Sequence, residues 1–258
     1  MRNIAIVLAS AVVYAALTMV WVPGLEKDGT FFIGWLVTFL HELGHVMAAL
    51  LTGGGATQMV LFPDDPGLAG YACTHGGFRP AVLMGGYIGS ALFGCLFLYS
   101  AFRQNLFSRY CFRSLAVVMV ASQVLWFPYG ECAGLSAGLR DAVVSMGFCL
   151  VGAVGLWYLS RLPYGARNTL LIFVGAAMLL DILRDVFRLG YAPHSDLHVF
   201  TQQLSVNGFV LIPLLVWQVV WVGIIIAIMG WSLRMAYRSD RRPTAASVSG
   251  PSARGGGK

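Results

Sequence analysis

Charged side chains are scarce in this sequence. Only 11% of its 258 residues are Asp, Glu, Lys or Arg, whereas 58% are hydrophobic. The mean hydropathy is +0.74. A soluble globular domain carries roughly 25% charged residues, because much of its surface faces water. The composition therefore excludes an ordinary soluble domain and indicates a polytopic membrane protein.

Acidic residues are the rarer of the two charge signs, which leaves a formal net charge of +6. The basic residues form no cluster that is interleaved with exposed aromatic side chains, which is the pattern of a nucleic-acid-binding surface. We therefore expect no nucleic-acid partner. The positive charge instead reflects membrane topology and an anionic inner leaflet, so the lipid bilayer is the partner that the composition predicts.

The sequence also lacks any CxxC spacing among its five cysteines, Cys73, Cys95, Cys111, Cys132 and Cys149. Cys95 and Cys149 lie in apolar runs and Cys111 borders one, and in such runs a cysteine behaves as a small buried hydrophobic residue. We therefore expect no disulfide framework, and the cysteines give no indication of a redox function.

Long apolar runs are abundant. A helix needs about 20 apolar residues to cross a hydrocarbon core of roughly 30 Å. The first run extends from Ile4 to Val22, beyond the roughly 7–15 apolar residues of a signal peptide, so we predict a retained span. The predicted fold class is an all-α polytopic membrane protein with about seven transmembrane helices and a short β-hairpin after the second. The apolar runs are 4–22, 31–52, 81–102, 112–129, 141–160, 168–189 and 208–233.

The arginines indicate which ends of these spans face the cytoplasm. They concentrate after the third, fifth and seventh runs, and cytoplasmic loops carry an excess of Lys and Arg. We therefore predict a multi-pass protein with a cytoplasmic C-terminus. The membrane domain covers residues 1–238, and residues 239–258 form a disordered basic tail. The arginines concerned are Arg103, Arg109, Arg113, Arg161, Arg167, Arg234, Arg238, Arg241 and Arg242.

The stretch FLHELGHVMAALLTGGG at 39–55 places two histidines and a glutamate inside the second apolar run. Such residues are costly in a membrane unless they share a function. Residues four apart lie on one helix face, so His41 and His45 can bind one metal ion. This HExxH pattern predicts Zn²⁺, which activates a water, with Glu42 as the general base. The alternative is structural: the histidines hydrogen-bond to neighbouring helices and Glu42 pairs with an arginine.

A short β-hairpin is predicted between the second and third runs. Two β-prone segments, Gln58–Phe62 and Gly70–Thr74, flank the turn-forming sequence PDDPG at 63–67. This arrangement is typical of a hairpin. Its edge offers hydrogen-bonding groups to which an unwound substrate can pair, or it is an ordinary extracytoplasmic loop. The sequence GGYIGSALFG at 85–94 has small residues four apart, which favours close packing against the HExxH helix.

These motifs together resemble a known family. HELGHVMAALLTGG at 41–54 is similar to the zinc motif of the site-2-protease type of intramembrane metallopeptidase, in particular its compact bacterial and plant branch. GGYIGSALFG resembles the glycine-rich segment that follows in that branch, and DILRDVFRLGYAPHSDLHVF at 181–200 resembles its late acidic segment. The resemblance implies a zinc cofactor, a membrane-protein substrate, a bacterial cytoplasmic membrane and Asp196 as the third metal ligand.

The third ligand is open on the residues alone. Depth in the membrane favours Asp181, about eight residues from the outer end of the sixth run, close to the roughly seven that separate His45 from the outer end of the second. Asp196 heads a short polar segment that can fold inward. We expect Asp185 to pair with a neighbouring arginine. Because the family resemblance favours Asp196, the candidates in order are Asp196, Asp181 and Asp185. His194 and His198 are further candidates because they are four residues apart.

Two functions are consistent with these features. The first is an intramembrane zinc metalloendopeptidase that hydrolyses peptide bonds of membrane-embedded or juxtamembrane protein segments, as in regulated intramembrane proteolysis. The second is a non-catalytic membrane scaffold or transporter that uses a polar cluster for metal or ions. The sequence shows neither the repeat symmetry nor the paired broken helices of a transporter, and HELGH is intact, so we favour the peptidase.

Overall fold

The computed structural model of the chain describes residues 2–22, 27–28, 31–62, 69–102, 105–132, 134–189, 195–204 and 212–240. Within these residues the fold is mostly helical, with three two-stranded antiparallel sheets. The described helices are α1 (Arg2–Leu17), α2 (Phe31–Leu51), α3 (Arg79–Phe102), α4 (Asn105–Leu125), α5 (Leu139–Leu159), α6 (Tyr164–Leu189), α7 (Asp196–Gln203) and α8 (Leu214–Asp240). The described strands are β1 (Trp21–Val22), β2 (Lys27–Asp28), β3 (Gly55–Leu61), β4 (Gly70–His75), β5 (Gly130–Cys132) and β6 (Leu135–Ala137). Helix α8 continues two residues into the predicted tail, and residues 241–258 lie outside the described part.

Four of the described helices are long and apolar enough to cross a membrane. The other three predicted spans are helical as well, but α1 has only 16 residues, and α4 and α6 are more polar. Helix α4 includes Arg109 and Arg113, and α6 includes Asp181 and Arg184. The protein is thus an integral membrane protein with four candidate spans, and the count of seven stays a prediction. The four spans are Phe32–Leu51, Arg79–Phe102, Leu139–Leu159 and Leu214–Met235.

Helix α3 lies at the centre of the fold, where it packs against α2 and against α6. Glycines make both crossings close. A Cβ atom added to Gly85 would lie 2.7 Å from the carbonyl oxygen of Gly44 in α2, and one added to Gly175 in α6 would lie 2.8 Å from that of Gly94. At such distances the two backbones touch and a side chain has no room. The predicted packing of segment 85–94 against the HExxH helix is therefore confirmed.

The predicted β-hairpin is present as β3 and β4, which pair antiparallel from Gly55 opposite His75 to Leu61 opposite Gly70. The observed β3 begins three residues before the predicted segment, and β4 ends one residue after it. The predicted turn residues 63–67 lie outside the described part of the chain. The hairpin follows α2 directly, so it lies beside the helix that carries the histidines.

The two edges of this hairpin differ. The outer edge of β3 is covered, because the Met59 N–H donates to the carbonyl oxygen of Trp126 at 3.2 Å, and the Leu61 N–H donates to Ser145 Oγ at 3.0 Å. Strand β4 forms backbone hydrogen bonds with β3 alone among the described residues. One edge of the hairpin is therefore held by α5 and by the residue that follows α4, and the other edge is unpaired within the described part of the chain.

A disulfide joins Cys73 of β4 to Cys132 of β5. The expectation that the cysteines form no disulfide is therefore wrong for this pair. The two residues are 59 apart in sequence, and they meet because β4 and the β5–β6 hairpin lie at the same end of the helices. Cys95 and Cys149 are unbridged and buried, and Cys111 is unbridged and half-buried, as expected for small hydrophobic residues.

We expect Cys73 and Cys132 to resist maleimide labelling until a reductant is added. A bridge that closes a loop of this length contributes roughly 4 kcal/mol in the chain-entropy model. The double variant Cys73→Ser, Cys132→Ser should therefore unfold at a lower temperature than the wild type, whereas Cys111→Ser should unfold close to it. Labelling of the same number of thiols with and without reductant would contradict the bridge.

Candidate metal centre

Helix α2 supplies two histidines to one point. His41 and His45 are one helical turn apart on the same face, and their Nε2 atoms are 3.1 Å apart. Asp196, the first residue of α7, places its Oδ2 atom 2.9 Å from His41 Nε2 and 3.2 Å from His45 Nε2. Within the described residues no other group of three or more His, Cys, Asp or Glu side chains has this spacing. The structure thus brings together both predicted histidines and the first of the third-ligand candidates.

The short helix α7 places Asp196 because its sequence contains its own N-cap. Ser195 Oγ accepts a hydrogen bond from the backbone N–H of His198 at 3.2 Å, so the helix begins at Asp196. Phe200, on the apolar face, is buried, and its ring centroid lies 5.4 Å from that of Trp221 in α8. The apolar face of α7 therefore packs into the bundle, which carries Asp196 to the histidines.

The donor atoms fit a metal ion. The Nδ1–H of neutral His45 donates to the carbonyl oxygen of Val82 at 2.7 Å, so Nε2 presents its lone pair to the cluster. A carboxylate oxygen and two imidazole nitrogens this close repel one another unless a proton or a metal ion lies among them. Two histidines and one carboxylate form a ligand set typical of catalytic Zn²⁺, with one coordination position left open.

The Asp196 carboxyl group has a strongly shifted pKa. Burial by itself would raise this pKa, but when His45 is protonated its charge, together with hydrogen bonds from His41 and His45, holds it well below the ordinary value for aspartate. Opposite charges and hydrogen bonds favour the ionised form of a carboxyl group. The cluster therefore has an anionic donor, which is the form that a metal ion binds.

Glu42 is buried next to this cluster, with 6% of its surface exposed. A Cβ atom added to Gly70, the first residue of β4, would lie 3.2 Å from Glu42 Cγ, so the side chain also adjoins the β-hairpin. Its carboxylate has no hydrogen bond or ion pair in the described part of the chain. The arginine partner that a purely structural role for Glu42 requires is therefore missing from these residues, and the carboxylate is available to accept a proton.

Helix α3 approaches the histidines at a glycine. A Cβ atom added to Gly86 would overlap His41 Nε2 and lie 2.6 Å from His45 Nε2. The next residue, Tyr87, packs edge-on against His41 with ring centroids 4.7 Å apart, which orients the imidazole. From the sequence, this segment was predicted to pack between helices, and neither contact with the histidines was predicted. The doublet Gly85–Gly86 is the feature of the sequence that could have indicated the contact with the histidines. Helix packing alone needs one glycine per turn, so the second glycine requires another explanation.

Gly86→Ala is expected to weaken metal binding. The added methyl group meets both Nε2 atoms, and disturbing the surroundings of metal ligands typically costs about 10–100-fold in affinity. The matched control is Gly155→Ala in α5, where nothing lies within 4 Å of an added Cβ atom. Competition with a fluorescent chelator measures the metal affinity of both variants. Equal affinities would contradict the close approach of α3 to the ligands.

The acidic candidates on α6 have other partners. Asp181 accepts a hydrogen bond from the Tyr14 hydroxyl at 2.5 Å and pairs with Arg184 Nη2 at 2.8 Å, which ties α6 to α1. Asp185 lies 3.9 Å from Arg184 Nε, as expected from its position one residue away. Neither carboxylate belongs to the group formed by the histidines, so Asp181, which its depth in the membrane favoured, is not one of the converging donors.

The histidines that flank Asp196 do not join the cluster in the described part of the chain. His198 Nε2 lies 2.8 Å from Gln202 Nε2 within its own helix, and His194 lies outside the described residues. The segment HSDLH therefore contributes only Asp196 to the described cluster.

The apolar helices are those of an integral membrane protein, and they bring His41, His45 and Asp196 together beside the buried Glu42 as a group that could hold a metal ion. The model of the Peptidase M50B-like family matches residues 5–232. Because this match covers most of the chain and all four of those residues, the chain belongs to the Peptidase M50B-like family. The resemblance to site-2 proteases is thus confirmed, and membership supports a protease activity. Neither the curated proteins nor the solved structures that were compared with the chain gave a match.

Proposed function

We propose that the protein is an intramembrane zinc metalloendopeptidase that cleaves membrane-embedded or juxtamembrane segments of other membrane proteins. The observation that carries the proposal is the convergence of His41, His45 and Asp196 beside Glu42, a buried carboxylate without a protein partner in the described chain. A buried charge of this kind is costly unless the protein uses it. Regulated intramembrane proteolysis is the proposed cellular role.

The residues of the centre have separate tasks in peptide hydrolysis. Zn²⁺, held by the two histidines and Asp196, would polarise the scissile carbonyl and lower the pKa of a water molecule. Glu42 takes a proton from the attacking water and then donates it to the leaving amine. Val82 keeps His45 in one tautomer through its carbonyl oxygen, and Tyr87 orients His41. The metal ligands thus keep fixed positions, and Glu42 is the group that accepts and releases the proton.

The unpaired edge of β4 supports a substrate that binds as an extended strand. Strand β4 pairs only with β3 in the described chain, and its first residue, Gly70, adjoins Glu42. A strand added at this edge carries its peptide groups past the proposed catalytic carboxylate. Because a helix hides its peptide bonds, we expect cleavage of segments that Gly, Pro or Asn make easier to unwind.

We also propose that the hairpin end faces away from the cytoplasm of a bacterial cell and that the C-terminus faces the cytoplasm. Arg109 and Arg113 lie at one end of α4, and the Cys73–Cys132 bridge lies beyond its other end. Positive residues favour the cytoplasmic side, and disulfides persist in oxidising compartments outside it. These two arguments are independent, and both support the same orientation.

The test is cleavage of a single-span substrate that is reconstituted in liposomes with the purified protein. We expect cleavage within or next to the span, loss of cleavage with a zinc chelator, and recovery when Zn²⁺ is added back. A matched substrate with its span glycines replaced by leucine should be cleaved more slowly. Tight zinc binding without cleavage of any substrate in a broad panel would favour the non-catalytic scaffold or transporter.

A further inference from the structure

An apolar groove of about 430 Å³ lies on the exposed face of the α4–α5 helix pair. Ala116 and Ala153 are buried and form its floor, whereas Val120, Leu150 and Val154 are 40–59% exposed and form its walls. The floor exists because alanines stand where larger side chains would fill the space between the helices. Its volume falls in the range of about 300–1,000 Å³ that is common for ligand sites. None of the lining side chains is charged, so the groove suits a hydrocarbon chain.

One end of the groove is formed by Trp157, and an arginine lies over this tryptophan. Arg113 Cζ is 5.0 Å from the centroid of the Trp157 ring, and Arg113 Nε donates to Ser160 Oγ at 3.3 Å. The terminal Nη groups of Arg113 make no hydrogen bond or ion pair in the described chain. The guanidinium group of Arg113 is therefore held at the end of the groove, and its Nη groups are able to donate hydrogen bonds to a ligand.

Two more arginines belong to this end of the helix pair. Arg109 precedes Arg113 by one turn on α4, and its buried Nε atom has no hydrogen-bond partner among the described residues. Arg161 follows α5 and lies over the ring of Tyr158 at 5.5 Å. Neither arginine forms an ion pair in the described chain. Asp141, the one carboxylate in the sequence of α4 and α5, lies in the first turn of α5, at the opposite end.

The buried Arg167 of α6 joins the helix ends that carry these arginines. Its Nε donates to Ser108 Oγ at 2.9 Å, and its Nη1 donates to the carbonyl oxygen of Leu162 at 2.7 Å. Arg167 is 1% exposed, so these bonds are shielded from water. They join the start of α4 to the turn between α5 and α6, which is the end of the helix pair where Arg109, Arg113 and Arg161 lie.

We propose that the α4–α5 groove binds one anionic phospholipid, with an acyl chain in the groove and the phosphate at Arg113, Arg109 and Arg161. Guanidinium groups match phosphate oxygens in charge and geometry. In the orientation proposed above, this end lies at the level of the cytoplasmic headgroups, where anionic lipids, Trp and Tyr concentrate. A zwitterionic lipid carries an ammonium group that the arginines repel, so the site prefers a net negative headgroup. The lipid site rests on the membrane orientation proposed above and not on the catalytic activity.

Native mass spectrometry of the full-length protein in detergent, titrated with phosphatidylglycerol or phosphatidylcholine, tests the site. We expect one phosphatidylglycerol to bind more tightly than phosphatidylcholine. Arg113→Gln should weaken this binding about fivefold, the effect of one cation at a membrane surface, and Arg113→Lys, which keeps the charge, should weaken it less. Arg238→Gln removes one charge from the exposed end of α8 and should leave the binding unchanged.

Ala121→Phe tests the acyl-chain part of the site. Ala121 lines the groove and is half-buried, so a phenyl ring there would occupy the groove and displace the lipid. Unchanged thermal unfolding and gel-filtration profiles would show that the variant is folded. Equal binding of both lipids by the wild type, or equal effects of Arg113→Gln and Arg238→Gln, would overturn the proposal. A change in oligomeric state of Ala121→Phe at unchanged lipid binding would assign the groove to a second copy of the chain and overturn it as well.

Discussion

Glu42→Gln is expected to slow cleavage of a single-span substrate in liposomes by about 10²–10⁴-fold, which is the contribution of a general base. Glutamine keeps the shape of the side chain but cannot take a proton at neutral pH. Because Glu42 is not one of the converging donors, the variant should keep the metal content of the wild type. Lost turnover with retained metal would assign proton transfer to Glu42.

The control for this prediction is Glu131→Gln, which changes the exposed glutamate of β5 and should leave the rate unchanged. Both variants need the metal-to-protein ratio measured by mass spectrometry alongside the initial rate. Cleavage by Glu42→Gln at the wild-type rate would falsify the assignment. Loss of metal together with activity would show instead that Glu42 supports the ligands.

Asp196→Asn is expected to reduce the metal content from about one ion per chain to almost none after dialysis. An asparagine has a similar shape but no negative charge, and a site with two neutral imidazoles alone holds Zn²⁺ much less tightly than a three-ligand site. His41→Ala and His45→Ala should have the same effect. Elemental analysis of protein washed with a mild chelator measures the difference.

Asp181→Asn and Asp185→Asn are the matched controls, because both remove a carboxylate that the sequence also offered as third ligand. Both variants should retain the metal. Asp181→Asn should also unfold at a lower temperature, because it weakens the bonds to Tyr14 and Arg184. Metal retained by Asp196→Asn and lost by Asp181→Asn would reverse the assignment and restore the depth argument.

The relation between His41 and His45 could be predicted because it is local. Helix periodicity alone places residues four apart on one face, whatever the rest of the fold does. Asp196 is 151 residues beyond His45 in the sequence, and its position depends on α7 folding into the bundle. Counting residues from the ends of spans assumes that ligands lie on spanning helices, and therefore it favoured Asp181. Only the resemblance of the Ser-Asp segment pointed to Asp196.

The number of spans was harder to predict for a related reason. Average hydropathy treats a polar side chain in the same way whether it faces lipid or protein. In α6, Arg167 forms a hydrogen bond with Ser108, and Asp181 forms a hydrogen bond with Tyr14 and a salt bridge with Arg184. These polar groups of α6 therefore have partners inside the bundle. Such partners lower the cost of polar residues in a helix. The composition of α4 and α6 therefore does not decide whether they cross the membrane.

The disulfide could not be predicted from the sequence, because the spacing of Cys73 and Cys132 along the chain does not indicate whether they lie close together in the fold. A bridge requires Cα atoms within about 7 Å of each other, and their proximity here arises only when β4 meets β5. By contrast, the hairpin of β3 and β4 was predictable, because two β-prone segments around a Pro-Asp-Asp-Pro-Gly turn specify it locally.

Reducing agents are a routine addition when membrane proteins with free thiols are purified. In this protein a reductant would cut the covalent tie between β4, which adjoins Glu42 through Gly70, and the β5–β6 segment. Two of the free thiols, Cys95 and Cys149, are buried and need no such protection. In protein prepared in dithiothreitol, His41 and His45 are therefore expected to keep their positions on α2, whereas β4 is expected to be held less firmly where a substrate strand would pair with it. Oxidising buffers should be used for every activity measurement.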